Sequence, residues 1–236
     1  MGSRTGYGDK REVEQSAPFR KSILRDYTET ILVCIIFVVF SRAFVFQQSK
    51  IPSGSMMDTL LIGDYILVNR FIYAPTSFDW EEKILPIRPV KRGDVVVFKY
   101  PQTPEVDFIK RIIGLPGDTV ELREGRLFVN GAFVDEPYIK DEYRIMDAKK
   151  NFRPVTVGPG EYFVMGDHRN KSSDGRVWGM VPEALLKGRA LLIWYSYEEQ
   201  DNSHKLPAYE RVKSWGSKFV YFFSKTRFKR CFTLIR

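Results

Sequence analysis

Residues 107–134 read DFIKRIIGLPGDTVELREGRLFVNGAFV. The stretch divides into DFIKRIIG and TVELREGRLFVNGAFV, rich in β-branched and aromatic residues and separated by Leu-Pro-Gly-Asp. Such runs, bounded by Gly, Pro and Asp, read as strands. Working outward, the pattern recurs in DYILVNRF and DVVVFKY before it and in EYFVMGD and RALLIWYSY after it. Residues 132–155 are more polar (EPYIKDEYRIMDAKKNFRP) and read as a hairpin insertion or a long loop. No internal repeat interrupts the series. The expectation is a mainly β chain, with an antiparallel β-rich domain over residues 47–200 hung from one N-terminal helix.

That helix is read from an uncharged apolar run, Ile31 to Phe40, continued past Ser41 and Arg42 by Ala43, Phe44, Val45 and Phe46. Counted over residues 27–46 it reaches the length of about 20 residues that a bilayer requires. Glu29 and Arg42 fall near its two ends, where an arginine snorkels to the headgroups. Residues 1–26 are polar, and Arg20, Lys21 and Arg25 before the run predict a cytoplasmic N-terminus. The remainder would then lie on the extracytoplasmic side of the plasma membrane. A cleavable signal peptide and a buried core helix stay open as alternatives.

The 236 residues are 44% hydrophobic and 28% charged, a globular composition that excludes disordered and fibrous classes. With only Cys34 and Cys231, a disulfide framework or a Cys-based zinc site is not available. The net charge of +8 invites a nucleic-acid reading, but residues 201–236 carry nine Lys/Arg against Asp201 and Glu210. The rest of the chain is therefore nearly neutral, and no nucleic-acid partner is expected. This basic tail, interleaved with aromatics such as Trp215, Phe223 and Phe228, suits either an anionic membrane surface or a solvated terminus.

Three segments offer chemistry. Ser53-Gly54-Ser55 puts two hydroxyls around a glycine that permits close backbone approach. A serine nucleophile needs a base, yet the sequence holds only His168 and His204, and His168 reads as incidental. A lysine substitutes if burial lowers its pKa from about 10.4 toward about 7–8. On the DFIKRII strand, alternation sets Phe108, Lys110 and Ile112 on one face and Arg111 on the other, which makes Lys110 the candidate. The third segment, GDHRNKSSDGRVWGMVP from Gly166 to Pro182, groups Asp167, Ser172, Asp174 and Arg176. Asp174 with Arg176, and Asp167 with Arg111, are candidate structural ion pairs, and Ser172 a candidate to aim the lysine. No metal site or cofactor is called for.

Together, IPSGSMMDTLLIGDYILVNR, RGDVVVFKYP, DFIKRIIGLPGDTVE and GDHRNKSSDGRVWGMVP, in that order after one apolar run, resemble the bacterial type I signal peptidases. The resemblance covers about Gln47 to Tyr197. It implies a membrane-anchored serine endopeptidase that removes signal peptides from exported preproteins after small residues, with a functional link to the export machinery. By it Ser55 is the nucleophile, Lys110 the general base, the Ser55 N–H and Ser53 side chain the oxyanion hole, and Ser172 the residue orienting the lysine. Ile51, Met56, Leu60, Phe108 and Ile109 match the pockets for small side chains of an Ala-x-Ala site.

Two departures accompany it. Asp58 stands where the family usually has proline, predicting a looser turn and a charge that repels an acidic residue after the cut. His168 and Gly175 replace the more usual Asn and Ser. Competing readings are a specialised Ser/Lys membrane peptidase and a membrane-tethered binding domain.

Overall fold

The computed structural model describes residues 23–40, 46–73, 87–145, 151–199 and 221–236. The expected segment 1–26 lies mostly outside these, as do Arg42 and residues 201–220 of the tail. The chain forms two units, residues 1–39 and 40–236.

In the first unit, helix α1 spans Ile23–Phe40. Its apolar side chains stand exposed, Ile31 to Val39 at 53–69%. Among the described residues no helix is long and apolar enough to cross a membrane. Arg25, Asp26 and Glu29 occupy the first turns of α1, the residues from Ile31 to Phe40 are uncharged, and residues 41–45 of the expected span lie outside the described residues. Of the expected span 27–46, residues 27–40 lie in α1 and Phe46 opens the first strand.

The second unit is antiparallel throughout. Strands β1 (Phe46–Lys50), β2 (Asp64–Asn69), β3 (Val95–Tyr100), β4 (Thr103–Gly114), β9 (Glu161–Met165), β10 (Val181–Pro182) and β11 (Leu186–Ser196) form one sheet in the order β1-β2-β11-β3-β4-β9-β10. Strands β5 (Thr119–Arg123), β6 (Arg126–Val129), β7 (Ala132–Val134) and β8 (Phe152–Thr156) form a second, in the order β7-β6-β5-β8. Its two hairpins turn on Glu124-Gly125 and Asn130-Gly131, all four residues at positive φ. Two-residue links of that geometry match the strand twist.

Alternation along the strands builds the core. Val95 and Val97 face one cluster with Ile51, Met56, Leu60, Ile66 and Ile193. Val96 and Phe98 face another with Ile112 and Val164. A third cluster, with Ile113, Val120, Leu127 and Phe163, holds the second sheet to β4 and β9.

Two expectations change here. Residues 132–155 are not a plain insertion: β7 and β8 belong to the second sheet, with helix α2 (Asp141–Ile145) between them. The end of the basic tail is not a solvated terminus either. After α4 (Phe222–Lys225; α3 is Gly175–Trp178), strand β12 (Thr233–Leu234) pairs with β11 and Ile235 is buried in the first core cluster. The buried carboxylate of Asp64 draws it in, taking Arg230 at 2.6 Å and the Ser196 hydroxyl at 2.6 Å.

Candidate active site

Ser55 lies in a single 3₁₀ turn, Gly54–Met56, between β1 and β2. The turn is closed by Met57 N–H donating to the Gly54 carbonyl at 3.1 Å and Leu60 N–H to the Met56 carbonyl at 2.7 Å. Met56 and Leu60 point into the core beneath, which fixes the turn while Ser55 stays accessible.

Lys110 reaches the turn from β4. Its Nζ is 2.8 Å from Ser55 Oγ and 2.9 Å from the Ile109 carbonyl, and 5.3 Å from the centre of the Phe108 ring. The side chain is only 4% exposed. Burial lowers the amine's pKa from 10.5 to about 8, against the opposing pull of the Asp174 and Asp167 carboxylates. No carboxylate among the described residues touches the amine, so desolvation prevails.

The opposite face of β4 carries Arg111, whose Nε and Nη2 meet Asp167 at 2.8 and 2.7 Å, both side chains 1% exposed. Thr59, in the turn after Ser55, donates its hydroxyl to the same carboxylate at 2.5 Å. Asp174 caps α3, accepts the Gly166 N–H at 3.0 Å and pairs with Arg176 at 2.9 Å. The hydrogen bonds of Arg176 and Gly166 hold the Asp174 carboxyl below its usual range although burial works the other way. At Gly166 a side chain would collide with the Ser55 carbonyl, 2.5 Å from a Cβ placed there, and with Ser172 Oγ at 2.3 Å. Glycine therefore lets this loop close on the Ser55 turn.

A cleft of about 610 Å³ opens over these groups. Ser53, Ser55, Phe108, Ile109 and Lys110 line it, together with Pro52, Met57, Ile62, Val106 and Lys171. Strand β9 joins β4 only from Arg111 onward, so the edge from Val106 to Lys110 has no strand partner on that side among the described residues.

Not every expected residue lines the cleft. Ile51, Met56 and Leu60 are 2%, 0% and 0% exposed and lie in the core beneath, because the 3₁₀ turn rotates Met57 rather than Met56 outward. Ser172 is buried beside Gly166, and the partners of Lys110 are Ser55 and Ile109 rather than Ser172. Asp58 sits at φ 75° with Lys140 2.9 Å away and is not part of the lining. Proline's φ is locked near −65°, so the turn differs from one a proline makes.

His168 was underestimated from sequence. Its N–H donates to the Ser55 carbonyl at 3.2 Å and its Nδ1 lies 3.3 Å from the Gly54 carbonyl. Its sequence neighbourhood held no sign of this, since both partners lie more than 100 residues away. Among the described residues no group of three His, Cys, Asp or Glu is placed to hold a metal ion.

Residues 24–195 match the family model described as signal peptidase, peptidase S26. A signal peptidase I of Pseudomonas aeruginosa is 34% identical over 227 residues, covering 82% of this chain and 80% of its own. A probable signal peptidase I-2 of Synechocystis is 36% identical over 172 residues, covering 71% of each. A solved signal peptidase I from Enterococcus faecalis V583 shares 34% identity over 44% of this chain and 97% of its own, with a TM-score of 0.39. The family model spans most of the sequence, and the chain belongs to the signal peptidase family, peptidase S26.

Proposed function

We propose that the chain is a serine endopeptidase that removes signal peptides from exported preproteins. The observation that carries this reading is the 2.8 Å approach of Ser55 Oγ to a buried lysine amine whose pKa lies near 8. The neutral amine takes the hydroxyl proton as the oxygen attacks the scissile carbonyl. The developing oxyanion is stabilised by the Ser55 N–H and the exposed Ser53 hydroxyl. The proton then passes from Lys110 to the leaving amine, and water cleaves the acyl-enzyme. The unpaired edge of Val106–Lys110 suits a substrate bound as an added strand, its small side chains against Phe108 and Ile109.

The substrate delivered by the export machinery arrives at a bilayer, and two features support a membrane location. One is the exposed apolar run of α1. The other is an aromatic patch of Phe222, Phe223 and Phe228 near exposed Lys225 and Lys229. The chain is read as single-pass, its N-terminus cytoplasmic and its β unit extracytoplasmic.

The test is cleavage of a preprotein with an Ala-x-Ala site by the detergent-solubilised full chain. Ser55→Ala and Lys110→Ala should stay folded and lose activity. Ser53→Ala should retain cleavage reduced by about 10²–10³-fold, as for loss of one oxyanion donor. An inert parent, or an active Lys110→Ala, contradicts the reading.

A further inference from the structure

The polar stretch between β7 and β8 touches each of the three segments that build the site. Glu136 forms a buried ion pair with Arg169, and the Tyr138 hydroxyl donates to Glu136 at 2.8 Å. The Tyr138 ring lies under the Arg111 guanidinium at 3.8 Å, directly behind the lysine strand. Lys140 pairs with Asp58, three residues after the nucleophile, at 2.9 Å. The Glu142 carbonyl accepts from Asn170 at 3.2 Å, and the Tyr143 ring packs on His168 with centroids 4.2 Å apart. His168 in turn holds the carbonyls of Gly54 and Ser55.

Asp58 and His168 are the two departures nearest Ser55, and this stretch connects them. An aspartate at φ 75° adopts a backbone conformation disfavoured for residues with a Cβ, and Lys140 holds its carboxylate from outside the cleft. From the other side Tyr143 packs on the His168 ring, whose Nδ1 lies near the Gly54 carbonyl, while the His168 backbone N–H donates to the Ser55 carbonyl. The nucleophile turn is thus gripped at both ends by side chains one helical turn apart.

We propose that residues 136–143 form a positioning strap, whose Lys140 and Tyr143 set the attack geometry of Ser55 by holding Asp58 and His168. The proposal rests on the peptidase reading for its kinetic consequence. Lys140 and Tyr143 are positioning residues, since neither lines the cleft. Their effect should exceed their contribution to stability: Lys140 is 58% exposed, and exposed ion pairs add little to folding. A small displacement of an attacking atom, by contrast, lowers a rate steeply, by about 10²-fold for 1 Å.

The test is a double-mutant cycle on the full-length chain, with Asp58→Asn, which tolerates positive φ, and Lys140→Met. Each single variant should lower kcat on the Ala-x-Ala preprotein by about 3–10-fold at unchanged KM, with the double no worse than the poorer single. Tyr143→Leu should lower kcat similarly, and Tyr143→Phe, which keeps the ring on His168 but loses the hydroxyl's bond to Asp58, should restore it in part. Thermal midpoints should stay within about 2 °C of the parent, as expected for partly exposed sites outside the core. Hydrogen exchange at the Met57 amide, which needs no substrate, should quicken in Asp58→Asn, Lys140→Met and Tyr143→Leu. Parent-like kcat and exchange in these variants, additive losses in the cycle, or losses that follow the thermal midpoint would overturn the strap. A parent that cleaves nothing while exchange responds as described would overturn the peptidase reading and leave the strap standing.

Discussion

The two faces of β4 bury neighbouring cations and treat them in opposite ways. On the cleft face Lys110 is 4% exposed and meets a hydroxyl and a carbonyl; on the other Arg111 is 1% exposed and meets a carboxylate on both prongs. Burial opposes the charge of both. At Lys110 it prevails and the pKa falls to about 8; at Arg111 the Asp167 hydrogen bonds and charge overcome it and hold the proton more firmly. A buried cation becomes a base or a brace according to whether a carboxylate touches it. One residue of strand register separates the two outcomes.

The largest effect expected from breaking this contrast is on the brace. Asp167→Ala leaves the Arg111 guanidinium buried without its partner and should lower unfolding free energy in urea by about 3–5 kcal/mol. Replacing both, as Arg111→Met with Asp167→Leu, should return much of that loss. A small change in the single variant would mean that water reaches Arg111 after all.

Lys110 should behave inversely. Below about pH 8 the folded chain carries a buried ammonium, a penalty that disappears as pH rises, because between about 8 and 10.5 only the unfolded chain keeps the proton. Lys110→Met should therefore be more stable than the parent by about 3 kcal/mol near pH 6, and the difference should shrink toward pH 10.5. A pH-independent difference would show that packing, not charge, separates them. The smallest effect belongs to the exposed end of the strand. Lys187→Ala removes a 2.7 Å pair with Asp107, both partly exposed, and should shift stability by at most about 1 kcal/mol.

Much of this contrast was legible in the sequence. The period of two in DFIKRII separates Lys110 from Arg111, and the Gly, Pro and Asp turns around residues 107–134 mark strands whose partners are mostly close in sequence. What was not legible depends on distant partners. Met56 and Met57 are the same residue type, and only the 3₁₀ turn decides which one lines the cleft. The last residues read as a basic tail because Asp64, Ser196 and β11, which fold them in, lie 38 or more residues before Leu234. Residues 136–143 read as a loop because their contacts are ion pairs and rings to positions up to 82 residues away, with no hydrophobic period to reveal them. Similarly, the charge expected of Asp58 beside the substrate is directed instead to Lys140.

The central claim, that burial without a carboxylate contact leaves Lys110 neutral enough to act as a base, is tested most directly by titrating that one amine. In the detergent-solubilised full chain labelled with ¹⁵N-lysine, with the signal assigned by its loss in Lys110→Met, the account predicts a midpoint near 8. A midpoint at or above 10.5 would contradict it, since the amine beside Ser55 would then hold its proton wherever the enzyme works.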